Sequence, residues 1–283
     1  MPPADPGSGS VRRGVSTALK RFALNHPYPF LALVLLCAMA VYQLLPGDPD
    51  VRDARGATPL IRAAESGDHA QVRQLLDRGA AIDATDHCGW TALMKAARYG
   101  HFDIMRQLAE RGADITIRDN AGYSALLLAA TGGHAEIVAY LASRGAAVDV
   151  ADTKLGWTPL IWAAKEGHLS TVERLLAAGA AIDARDRDGT TALMWAARSG
   201  RTAVVRTLIA AGARTDLTDR QGRTAHALAR AHEQAEAARL LESATRHTEA
   251  RAAPAAAREG RDGAGADAPD TGAPPVVFPA DGR

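Results

Sequence analysis

A glycine recurs at Gly56, Gly89, Gly122, Gly156, Gly189 and Gly222, in steps of 33, 33, 34, 33 and 33 residues. No other feature limits the possible folds as strongly. A fixed period of this size marks a stacked array, in which each unit is too small to bury its own apolar face and shares a core with its neighbours. Three or more units are needed for that core. This chain has six, over about residues 53–242.

Each unit follows the same grammar. After the glycine comes Thr58-Pro59-Leu60, Thr91-Ala92-Leu93, Ser124-Ala125-Leu126, Thr158-Pro159-Leu160 or Thr191-Ala192-Leu193. The hydroxyl suits a helix N-cap, and proline is tolerated at the first helical position, where no N–H is needed. A short alanine-rich helix follows, with pairs such as Ala129-Ala130 and Ala163-Ala164 that let helices approach closely. Gly67, Gly100, Gly133, Gly167 and Gly200 end it. A second helix carries apolar residues at helical spacing, among them Ile104, Met105 and Leu108. It stops at Gly-Ala, and an extended Asp-bearing segment leads onward.

These motifs together resemble the ankyrin repeat: a Gly-x-Thr-Pro-Leu opening, a Gly-His turn and a Gly-Ala close. The resemblance implies an all-α repeat solenoid of helix-turn-helix units joined by β-hairpin loops, with a concave face for protein partners. Two departures are visible. The family's histidine after Thr-Pro-Leu is replaced by Ile61, Met94, Leu127, Ile161, Met194 and Ala227. The single step of 34 places one extra residue near Thr153-Lys154-Leu155, so that hairpin should be longer.

Outside the array the composition changes. Residues 1–27 form a basic segment containing Arg12, Arg13, Lys20 and Arg21. Residues 28–45 carry no charge and span roughly 27 Å as a helix, close to the ~30 Å of a bilayer core. Tyr28 and Tyr42 lie near its ends, as interfacial aromatics do. We read this run as a transmembrane signal-anchor helix. The basic side faces the cytoplasm and the repeats lie across the membrane, in the periplasm if the cell is bacterial. The alternative is a signal peptide cleaved after Ala38-Met39-Ala40, giving a secreted or periplasmic soluble protein. Residues 46–52 serve as a linker, and 243–283, rich in Ala, Gly, Pro and Asp, as a disordered tail. The tail carries an apolar Pro-rich motif at 274–279.

No motif supports catalysis. His232-Glu233-Gln234-Ala235-Glu236 has glutamate where a zinc-protease helix needs its second histidine. Asp186-Arg187-Asp188-Gly189 lacks two ligands of a calcium loop. His101, His134 and His168 recur in register, but about 10 Å apart, too far to share an ion at ~2 Å bonds. We therefore expect no enzyme, no metal, no cofactor and no small-molecule substrate. A net charge of +1 gives no reason to expect nucleic acid as a partner.

The informative residues are aromatic. Only 5% of the chain is Phe, Trp or Tyr, yet Trp90, Tyr123 and Trp157 share one position after the opening glycine. Trp162 and Trp195 share another, on the first helix, where Lys95 and Leu128 stand in earlier repeats. Arg98, Lys165 and Arg198 follow one helical turn later. Aromatics with basic neighbours are the composition of interface hot spots. Trp90, Lys95, Arg98, Tyr123, Leu128, Trp157, Trp162, Lys165, Trp195 and Arg198 are thus the expected contacts for an unidentified protein partner.

Overall fold

A hydroxyl opens every first helix. In the computed structural model, which describes residues 48–246, Thr58, Thr91, Ser124, Thr158, Thr191 and Thr224 each accept the backbone N–H three residues on, at 3.2–3.4 Å. Such a cap stabilises a helix by about 1 kcal/mol. It matters here because helices of seven to nine residues are too short to persist alone.

The first helices are α1 (Pro59–Ser66), α3 (Ala92–Tyr99), α5 (Ala125–Gly132), α7 (Pro159–Glu166), α9 (Ala192–Arg198) and α11 (Ala225–Ala231). The second helices are α2 (His69–Asp77), α4 (Phe102–Glu110), α6 (Ala135–Ser143), α8 (Leu169–Ala177) and α10 (Thr202–Ala210), and residues 235–246 form α12. The described residues divide into two compact units. The first holds 48–96 with Asp103–Asp114, and the second Ala97–Phe102 with 115–246.

In the second unit, α7 packs against α5 and α9, and α9 against α11. The second helices α6, α8 and α10 form a row. The alanine pairs Ala129-Ala130, Ala163-Ala164 and Ala196-Ala197 are fully buried at the seams between first helices. Leu126, Leu160, Leu193, Ile137 and Leu175 fill the space between the two rows. In the first unit Leu60, Ile61, Leu93 and Val72 do the same. The residues that replace the family's histidine belong to this core: Ile61, Met94, Leu127, Ile161 and Met194 are all buried. Ala227, in the last repeat, is exposed.

The loops depart from the expected β-hairpins. Among the described residues no strand forms, and only two isolated bridges appear, Arg118 with Ser124 and Arg185 with Thr191. The reason is a carboxylate that takes the amides a strand partner would use. Asp86 Oδ1 accepts from Cys88 N and Trp90 N; Asp119 from Ala121 N and Tyr123 N; Asp186 from Asp188 N and Thr190 N. Asp53 and Asp219 repeat the pattern. Each is a tight Asx-type turn closed by one backbone bond, such as Asp186 N to Thr190 O. The fourth loop is longer by one residue, as the 34-residue step implies: there Asp152 N reaches Trp157 O.

Arginine ties alternate loops together. Arg52 donates to Thr85 O, Arg118 to Ala151 O and Arg185 to Thr218 O, each one repeat further on. The intervening positions hold Thr85, Ala151 and Thr218 themselves, so this clasp has a period of two repeats. Lower down, the carboxylates of Asp50, Asp83, Asp149 and Asp183 accept from Ala81 N, Asp114 N, Ala181 N and Arg214 N.

Two segment boundaries shift. Residues 48–52, expected as a linker, are held to the first unit through Asp50 and Arg52. The array does not stop at 242: α12 runs to 246, and Thr245 Oγ1 meets both Leu241 O and Thr215 Oγ1. The basic segment, the uncharged run 28–45 and residues 247–283 lie outside the described residues. Among the described residues no helix is long and apolar enough to cross a membrane.

Candidate functional site

The loop carboxylates also position the aromatic residues. Asp186 uses Oδ1 for its turn and turns Oδ2 toward α9, where Trp195 Nε1 donates to it at 2.9 Å. Asp152 does the same for Trp162 on α7, at 3.3 Å. Each indole therefore lies from first helix to loop within its own repeat, with its N–H already used. In the last repeat Arg223 Nε takes that place on Asp219, at 2.8 Å.

Four rings meet on this side of the second unit. Trp157, in the loop before α7, lies 4.6 Å from both Trp162 and Trp195, at 62° and 56°. Tyr123 joins at 6.3 Å from Trp162. Tilted contacts at these spacings favour ring edge over ring face and add about 0.5–1.5 kcal/mol per pair. Trp157 is the hub and is only 6% exposed. Trp162, Trp195 and Tyr123 are half-buried and present part of each ring to solvent.

Cations sit on the aromatic faces. Lys165 Nζ lies 5.8 Å from both the Trp157 and Trp162 rings, and Arg198 lies 5.1 Å from Trp195. Lys165 also pairs with Glu166 at 2.5 Å, and that hydrogen bond holds the Glu166 carboxyl below its usual range. Arg198 is exposed and forms no ion pair among the described residues. Burial raises the Tyr123 phenol, and the carboxylates of Asp152 and Asp119 push it the same way, so the ring stays neutral.

The remaining expected contacts are distributed differently. Trp90 and Lys95 belong to the first unit, where Lys95 Nζ lies 4.7 Å from the Trp90 ring and 3.1 Å from Glu65. Arg98 is exposed, and its carbonyl accepts from His134 Nε2. Leu128 is 3% exposed, packed into the core because its short helix α5 is buried on nearly every side. It presents no surface to a partner. Sequence reasoning missed Leu155, which stands 39% exposed at the tip of the lengthened loop beside Trp157. The 34-residue step was the signal for it.

The histidines in register act between repeats. His134 Nε2 donates to Arg98 O and His168 Nε2 to Thr131 O, and each ring covers the preceding glycine turn. A Cβ on Gly133, at φ +77°, would come within 2.7 Å of His168. Burial lowers the His134 pKa, with further lowering from the charges of Arg98, His168 and His101 against the hydrogen bond that raises it. Among the described residues no group of three His, Cys, Asp or Glu side chains is placed to hold a metal ion.

A family model described as ankyrin repeats matches the chain in three copies, over residues 37–119, 116–186 and 169–250. Together these cover well over half of the 283 residues. No curated protein matches the chain.

Proposed function

The chain belongs to the ankyrin-repeat family, and from that premise we propose that it is a membrane-anchored binding protein whose aromatic and basic side in repeats three to five holds another protein, as a scaffold, shield or inhibitor. The observation that carries this reading is the convergence of Tyr123, Trp157, Trp162 and Trp195 with Lys165 and Arg198. Rigid, partly exposed indoles bury large area at little entropic cost, and tryptophan and arginine dominate binding energy at interfaces. The core below fixes their positions before any partner arrives, which lowers the cost of association.

The uncharged run at 28–45 has Arg12, Arg13, Lys20 and Arg21 before it against Arg52 and Arg55, among Asp48, Asp50 and Asp53, after it, a bias that supports anchoring with the repeats on the far side of the membrane. The test places a photo-crosslinking amino acid at Arg198, and in a second variant at Glu173, an exposed residue of α8. In native membranes the Arg198 probe should capture a protein that the Glu173 probe does not. Equal capture at both sites would remove the proposal. Alkaline extraction separates the two forms of the chain: an anchored one stays in the membrane pellet, whereas a cleaved one is released with Val41 at its N-terminus.

A further inference from the structure

Residues 247–283 contain one aromatic residue, Phe278, inside Pro274-Pro275-Val276-Val277-Phe278-Pro279. Every charged residue from 262 to 282 is an aspartate: Asp262, Asp267, Asp270 and Asp281. The segment thus joins a proline-rich apolar core to an acidic upstream flank, while Asp281 after the core is balanced by Arg283. The face described above is its complement, with half-buried indoles bracketed by Lys165 and by Arg198, which has no carboxylate partner among the described residues. Proline-rich segments dock on aromatic-lined surfaces because their extended backbone is preformed and the rings pack against the pyrrolidines.

We propose that this segment of the same chain occupies the Trp162–Trp195 face and competes there with the protein partner. The proposal rests on the reading of that face as a binding surface. The starting point of the segment fits. Helix α12 leaves the array at 246, where Thr245 touches Thr215, four residues before the Asp219 loop. The chain therefore departs on the side where the loops begin. Twenty-seven residues separate 246 from Pro274. That length can reach at most about 90–100 Å, whereas neighbouring packed helices lie about 8–10 Å apart. The fifth and fourth repeats are within easy reach.

Tethering makes a weak contact sufficient. An attached segment acts at an effective concentration on the order of 1 mM. A motif with a Kd of about 0.1–1 mM would then cover the face roughly half to nine-tenths of the time. Releasing it should raise partner capture about two- to ten-fold.

The test uses the full chain with Cys37→Ser and Cys88→Ser, a nitroxide on Ala280→Cys, and indole N–H signals assigned through single Trp→Phe variants. The indole signals of Trp162 and Trp195 should broaden, the Glu173 amide on α8 should not, and Phe278→Asp should restore the indoles. No broadening, or broadening that survives Phe278→Asp, overturns the proposal. Mixing nitroxide-bearing and isotope-labelled copies separates the remaining case. Broadening seen only in the mixture assigns the segment to a second copy and overturns the intrachain contact. A negative result with selective crosslinking at Arg198 leaves the face as a partner site without the tail. If both are negative, the reading of the face itself fails.

Discussion

Trp195→Phe separates the structural from the binding role of the indoles. Asp186 is buried and accepts three hydrogen bonds: from Asp188 N at 2.9 Å, Thr190 N at 2.8 Å and Trp195 Nε1 at 2.9 Å. Phenylalanine keeps a ring against Trp157 but has no N–H. The carboxylate then retains its two turn amides and loses its only donor on Oδ2. A hydrogen bond to a charged group contributes about 1.5–3 kcal/mol, and a buried acceptor left open incurs the full desolvation penalty. We expect a loss of about 2 kcal/mol. With a urea m-value of about 2–3 kcal/mol/M, the midpoint falls by about 0.7–1 M. Trp162→Phe should cost less, because its donor lies 3.3 Å from Asp152. Equilibrium urea unfolding followed by circular dichroism measures both. A Trp195→Phe loss below about 0.5 kcal/mol, or one smaller than that of Trp162→Phe, would refute the reasoning. A changed slope with an early transition would mean that the fifth repeat opens on its own.

Three further predictions follow from outliers in the repeat register. Thr171 is fully buried with its hydroxyl unpaired, where α4, α6 and α10 place Ile104, Ile137 and Val204. Thr171→Val should therefore stabilise the fold by about 1–2 kcal/mol, raising the urea midpoint without changing the slope. Glu233, at φ +59°, is the only non-glycine among the described residues in the left-handed region, at the position where Gly167 and Gly200 end earlier helices. Glu233→Gly should stabilise by about 0.5–1 kcal/mol in thermal unfolding, since removal of strain exceeds the added unfolded-state entropy. His134 has a lowered pKa in the folded chain, chiefly from burial. The unfolded chain binds more protons between the lowered folded pKa and the ordinary value near 6.5, so this contribution is full above 6.5 and is lost as pH falls from there through the folded pKa. His134→Gln should accordingly flatten the fall in urea midpoint between pH 7.5 and 5.5.

The array was legible because its signals are local and periodic. Thr58 or Thr158 before a proline marks a helix start, Gly133 marks a stop, and the single 34-residue step marks the loop from Asp152 to Trp157. The arginine clasp was equally visible, as Arg52, Arg118 and Arg185 before alternate loop aspartates, but a reading by single repeats averages over a two-repeat period. Burial was harder to read. Trp157 and Tyr123 share a register position, yet Trp157 is enclosed because Trp162 and Trp195 close over it from two repeats. Leu128 shares a position with both tryptophans, yet it lies in the core, since an aliphatic side chain has no N–H to donate to the loop carboxylate of Asp119. The end of the last helix was missed because Ser243, Ala244, Thr245 and Arg246 are polar or small. They are helical all the same, and the Ser243 hydroxyl turns back to donate to Leu240 O.

The most direct test of the central claim compares chemically crosslinked capture from native cells by the full chain with capture by Lys165→Glu/Arg198→Glu. These substitutions leave the indole–aspartate bonds in place, and circular dichroism and unfolding verify the fold. The account predicts that a protein captured through the Arg198-side face of the parent chain is lost, or reduced at least ten-fold, in the double variant. Undiminished capture of the same protein by a folded double variant would contradict it.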